Sequence, residues 1–142
     1  MTTTRTTAPE ETVSLGKAFG QTLHGGDVVA ISGTLGAGKT CFVKGICEAQ
    51  GVRTHVGSPT FTLINEYPGA EVTVVHIDLY RLTARRELND LGILEYFTGD
   101  RICLIEWPEL VATILPEEHY SVEIRHGEKE TERVVSIGRV PS

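Results

Sequence analysis

No apolar run in the sequence approaches the roughly 20 residues that a membrane-spanning helix requires, so a helical span is excluded and a cytoplasmic protein is expected. Cysteine is scarce. Cys41, Cys47 and Cys103 form an odd set without metal-ligand spacing, and all three sit in apolar segments, so they are expected to be buried, reduced and structural. Positive charge is also in short supply, with 13 Lys and Arg against 19 Asp and Glu and a formal net charge of −6. A chain so balanced gains little counterion release at a polyanion, which argues against binding nucleic acid on its own; any nucleic acid would be reached through a partner. There is no internal repeat. The 142 residues are enough for one core and too few for two ordinary domains.

Glycine, in contrast, is clustered where it matters. Gly33, Thr34, Leu35, Gly36, Ala37, Gly38, Lys39 and Thr40 fit the GxxxxGK[ST] phosphate-binding pattern without a mismatch. Three glycines let a run of backbone N–H groups close around a polyphosphate with no Cβ in the way. Lys39 supplies a point charge for the β- and γ-phosphates, and the Thr40 hydroxyl is placed to ligate Mg²⁺. The flanks agree with the motif. Residues 27–32 read as a short apolar strand, and Phe42, Val43, Ile46 and Cys47 form one face of a helix that stops at Gly51. The helix N-terminus then points its partial positive charge at the same phosphates. Gly45, inside this helix, costs about 1 kcal/mol relative to Ala unless another backbone packs against it.

Around this centre, residues 1–10 are expected to be a disordered arm, and residues 11–140 a single domain. From Glu11 to His24, Leu15, Ala18, Phe19, Thr22 and Leu23 have the spacing of a half-buried helix ended by Gly25 and Gly26. A short strand is possible at residues 52–56, before a loop, residues 57–60, that holds Thr60 outward. Residues 61–67 and 72–77 suggest a hairpin, the second strand being apolar on both faces and therefore inside the sheet. Two short helices are expected between residues 82 and 98. Residues 102–105 read as a parallel strand covered on both sides, residues 107–116 as a short helix, and residues 120–125 and 133–137 as a terminal hairpin.

Two carboxylates end apolar strands, Asp78 after Ile77 and Glu106 after Ile105. Ligands of open α/β sheets bind at the carboxyl ends of the parallel strands, so both acids would face the nucleotide if their strands run side by side. One would serve the Mg²⁺ shell and the other the attacking water. Spacing alone leaves the division open, although Glu106, with the cleaner apolar run before it, pairs more naturally with Thr40 as a metal residue. Thr60 is equally readable as a sensor of the γ-phosphate or as a turn residue. Trp107, the single tryptophan, sits beside Glu106 and reads as a packing anchor or a nucleotide contact. Arg81, Arg85 and Arg86 read as solvated helix surface, and His76 as a satisfied core histidine.

Taken in order, GTLGAGKT (33–40), SPTFTLINEY (58–67), HIDLYRL (76–82), LGILEYF (91–97) and LIEWPE (104–109) closely resemble the bacterial TsaE family, also called YjeE. The similarity runs from about residue 12 to residue 137. The resemblance implies an α/β fold, a three-layer P-loop NTPase with a mixed, largely parallel central sheet flanked by helices. It further implies a Mg²⁺-dependent ATPase needed to make threonylcarbamoyladenosine in tRNA, bound to the TsaB and TsaD proteins and resetting their complex between turnovers. Lys39 and Thr40 would be the phosphate and metal residues, Thr60 part of a switch-like loop, Asp78 and Glu106 the acidic site residues, and Trp107 a neighbour of nucleotide or partner. A small-molecule kinase is a rival reading, although no Arg-rich lid is apparent. A nucleotide-gated binding module that never hydrolyses ATP is another. The lack of an NKxD segment argues against GTP.

Overall fold

In the computed structural model, which describes residues 1–33, 38–54, 56, 64–79, 93–97, 99–108 and 114–141, the strand entering the phosphate loop becomes the middle of a seven-stranded sheet. Its elements are β1 (Thr2–Thr6), α1 (Pro9–Gly20), β2 (Val28–Gly33), α2 (Lys39–Ala49), β3 (Ile64–Pro68), β4 (Thr73–Asp78), a 3₁₀ turn (Ile93–Phe97), β5 (Ile102–Glu106), β6 (His119–His126) and β7 (Arg133–Val140). The strand order is β1-β7-β6-β2-β5-β4-β3. β6, β2, β5 and β4 are mutually parallel; β7 on one flank and β3 on the other run antiparallel to them, and β1, paired antiparallel to β7, runs in the central direction again.

Continuous apolar runs make the central strands because both faces are covered. Val29, Ile31, Val74, Ile102, Leu104, Val122 and Ile124 point to one side, where Phe19 of α1 and Phe42, Val43 and Ile46 of α2 complete the core. Val28, Val75, Ile77, Cys103 and Ile105 point to the other, against Tyr96, Phe97, Trp107, Ile114 and Leu115. The result is three layers with a mixed, centrally parallel sheet. Among the described residues, no helix is long and apolar enough to cross a membrane.

α1 and α2 cross closely because glycine lines the contact. A methyl group on Gly45 would strike the Val13 carbonyl and the backbone of Gly16 and Lys17, and one on Gly16 would strike the Phe42 carbonyl. The helix-interior glycine is thus retained for packing, as the sequence required. α2 stops where Gly51 takes φ +78°, a left-handed conformation that suits glycine.

Several expectations are corrected. Residues 2–6 form a paired strand in place of a disordered arm, in register with β7 from Thr2↔Ile137 to Thr6↔Arg133. α1 begins at Pro9, two residues before the expected start, and Glu11 secures that end by accepting bonds from the Thr7 N–H at 3.0 Å and the Thr7 hydroxyl at 2.8 Å. The helix ends at Gly20, before the expected stop at Gly25 and Gly26, so buried Leu23 lies past the helix; its packed stripe is Thr12, Gly16, Phe19 and Gly20, while Ala18 and, beyond the end, Thr22 are exposed. The small residues face α2 because only they allow the close crossing. Val52, Arg53, Thr54 and Val56 form no strand. The two expected hairpins are present, and the second one joins the main sheet through β6. The stretch 82–92 expected to be helical, and Arg81, Arg85 and Arg86, lie outside the described residues, as does 109–113 of the expected last helix.

Candidate functional site

The carboxyl ends of β2, β5 and β4 lie side by side, and the register sets the site: Ile31 pairs with Glu106, and Glu106 with Asp78. Both acids therefore stand at one sheet edge, next to the strand that leads into the phosphate loop. Two backbone bonds hold the ends together, from Leu79 N–H to the Glu106 carbonyl and from Trp107 N–H to the Ile31 carbonyl, each 3.2 Å. Gly33 has φ +145° and lies so close to β6 that a Cβ would strike the Ile124 carbonyl. Gly38, at φ +98°, precedes the first residue of α2. Thr34, Leu35, Gly36, Ala37 and Thr60 lie outside the described residues.

Lys39 opens α2 and turns back into the site, where only 5% of it remains exposed. Its ammonium lies 3.8 Å from the centroid of the Trp107 ring, donates to the Gly33 carbonyl at 3.4 Å and stands 4.0 Å from Glu106 Oε1. Trp107 reaches that position with φ +61°, the one described non-glycine residue at positive φ. A left-handed conformation costs an L-residue about 1–2 kcal/mol. The ring therefore sits over Lys39 at a backbone cost, as strained residues at functional positions do.

Glu106 is no solvated strand end: it is 3% exposed, and its Oε2 accepts a hydrogen bond from His76 Nε2 at 2.5 Å. His76 is fully buried in β4. Its core placement follows the sequence reading, but its bond to the acid was missed. Period-two alternation contained the signal, because His76 and Asp78 share one face of β4. Thr40 follows Lys39 in α2.

Cys47 and Cys103 are buried as expected, and burial pushes each thiol up to about 12. Cys41 departs from the expectation and is partly exposed. It borders a cavity of about 250 Å³ that opens beside Gly38, between α1 and the β6–β7 turn, with Thr12 and Arg133 also in the wall.

Among the described residues, no cluster of three or more His, Cys, Asp or Glu side chains forms a self-sufficient metal site. Two carboxylates in register beside a phosphate loop are a different donor set, one that suits Mg²⁺, which takes one or two carboxylates and fills its shell with phosphate oxygens and water.

A parallel-centred sheet whose middle strand leads through a glycine-rich loop into a helix defines a protein of the P-loop NTPase fold. The particular family follows from comparison. Residues 6–135 match the family model described as "Threonylcarbamoyl adenosine biosynthesis protein TsaE". The relative named tRNA threonylcarbamoyladenosine biosynthesis protein TsaE from Bacillus subtilis is 43% identical over 129 residues, covering 90% of this chain and 80% of the relative. Its namesake from Treponema pallidum is 41% identical over 116 residues, covering 82% and 85%. A crystal structure of Bacillus subtilis YdiB superposes with a TM-score of 0.82 at 34% identity, covering 99% of this chain and 86% of that one. The chain belongs to the TsaE family, whose name ties it to threonylcarbamoyladenosine biosynthesis.

Proposed function

We propose that this protein is the ATP-binding and ATP-hydrolysing component of the cytoplasmic machinery that makes threonylcarbamoyladenosine at position 37 of tRNA, and that it spends ATP turnover on resetting a complex of TsaB and TsaD. The observation that carries the reading is the meeting of Lys39 and Glu106 at the common end of β2 and β5, beside the glycine-rich loop.

In this reading the backbone N–H groups of residues 33–40 cradle the phosphates, and Lys39 places its charge on the β- and γ-phosphates. Thr40 and Glu106 hold Mg²⁺, which when bound spreads the charge that builds on the phosphate oxygens during transfer. Asp78, in register with Glu106, orients the attacking water. Thr60 responds to the γ-phosphate, and Trp107 backs Lys39. The cavity beside Gly38 and Cys41 lies at the outer end of the loop, where it suits the nucleoside end of ATP. A net charge of −6 fits a subunit that reaches tRNA only through TsaB and TsaD.

Substituting Glu106→Gln in the assembled complex tests hydrolysis separately from binding. The expected outcome is retained ATP binding in the absence of Mg²⁺, read by calorimetry, with the gain from Mg²⁺ reduced and phosphate release lowered about 100-fold or more. An unchanged rate of phosphate release would overturn hydrolysis through Glu106, whereas unchanged tRNA modification by the complex carrying this variant would favour a nucleotide-gated module.

A further inference from the structure

The two oxygens of Glu106 have different neighbours. Oε1 stands 4.0 Å from the Lys39 ammonium, and Oε2 accepts the 2.5 Å bond from His76 Nε2. A carboxylate without a proton can only accept, so the shared hydrogen belongs to Nε2. His76 itself lies wholly buried between Val75 and Ile77, opposite Leu104 of β5 and Asn65 of β3. An apolar side chain would satisfy the packing demands of such a position. The imidazole instead gives up its water, and its Nδ1 is buried with no hydrogen-bond partner among the described residues. What the imidazole gains for that cost is the bond to Glu106.

We propose that His76 is a positioning residue: by donating Nε2–H to Oε2, it fixes the Glu106 carboxylate so that Oε1 stays aimed at Lys39 and at the divalent cation that accompanies a bound nucleotide. The inference rests on the nucleotide-hydrolysing reading above and adds to it what aims the acid. Without the donor, Oε2 becomes a buried acceptor with nothing to accept from. The carboxylate then turns toward another donor and carries Oε1 away from the cation. Partners of this kind, one shell out from a metal ligand, change metal affinity by about 10- to 100-fold when removed.

The test is calorimetric titration of the folded protein with ATP, with and without Mg²⁺, for the wild type and for His76→Gln, His76→Asn and His76→Leu. The glutamine amide can take the place of Nε2, the asparagine amide falls short of Glu106, and leucine keeps only the volume. The quantity of interest is the gain in ATP affinity caused by Mg²⁺. It is expected to survive in His76→Gln and to fall at least about tenfold in His76→Asn and His76→Leu, with Mg²⁺-free affinity equal in all four proteins. In the assembled complex, the KM for Mg-ATP should rise and kcat should fall in the same order. A role in packing alone gives a different ranking, with His76→Leu the best tolerated by thermal melting and the Mg²⁺ gain unchanged throughout. Should leucine prevent folding, the contrast between glutamine and asparagine still decides. Equal Mg²⁺ gains in those two variants overturn the inference. A wild type that binds no ATP in either buffer overturns the nucleotide reading instead, and this inference with it.

Discussion

Lys39 is a charged group kept almost dry, and no single neighbour accounts for its place. At 4.0 Å and an effective dielectric near 20, the attraction to Glu106 is about 4 kcal/mol, which the several kcal/mol needed to strip each ion of water largely cancels. The ring of Trp107 adds up to about 2 kcal/mol when desolvated, and the Gly33 carbonyl about 1. Small terms of similar size hold the ammonium near the loop. The loop sequence alone pointed to Lys39, now seen buried beside Glu106, and to glycine at 33 and 38, both at positive φ. Strand-end logic likewise expected Asp78 and Glu106 side by side, as their register has them. His76 escaped because a lone histidine in an apolar strand has no sequence pattern that names its partner, and that partner lies 30 residues away on the neighbouring strand. Cys41 was misassigned because helical periodicity does not report the opening of a cavity beside the first turn. The buried thiols give a pH prediction. Cys47 and Cys103 have folded values near 12 against an ordinary 9.0, because burial penalises the thiolate. The folded state therefore holds these protons more tightly than the unfolded one. Their stabilising contribution is complete below pH 9 and is lost as pH rises toward 12. Urea midpoints measured from pH 8 upward should fall across that window, and less steeply in Cys47→Ala and Cys103→Ala than in the wild type.

At the scale of elements, the contact between α1 and α2 sets two rules against each other. Replacing Gly45 by Ala would gain about 1 kcal/mol in helix propensity. The added methyl would meet the Val13 carbonyl and the backbone of Gly16 and Lys17, which cannot retreat without parting the helices, at a cost of about 1–3 kcal/mol or more. Backbone collision outweighs propensity, so Gly45→Ala is expected to lower stability by about 1 kcal/mol or more in chemical denaturation; a rise would contradict the close crossing. The central strands were legible because burial on both faces leaves an uninterrupted apolar run, and the hairpins because turn residues separate such runs. β1 was not legible. Its threonines carry no apolar alternation, and what orders them is main-chain pairing with β7, the Thr6–Thr12 hydroxyl bond at 2.7 Å and the Arg5–Glu132 pair at 3.1 Å, two of which come from the far end of the chain. α1 was misphased for a related reason. Three of its four buried positions are two glycines and a threonine, which hydrophobic spacing does not count.

For the molecule as a whole, the sheet brings one phosphate loop and two acids to a single edge and leaves the opposite flank to an antiparallel trio, β6, β7 and β1. In the proposed reading this edge forms the binding half of an ATPase within one chain, with an acidic balance that disfavours direct work on tRNA. The central claim is that hydrolysis is completed by a partner and spent on it. Phosphate release from Mg-ATP by the purified protein, with and without the TsaB–TsaD heterodimer and with Lys39→Ala as the blank, tests it most directly. The expected result is slow release alone, strong stimulation by the heterodimer, and neither in Lys39→Ala. Absence of stimulation when complex formation is demonstrated in the same mixture would contradict it.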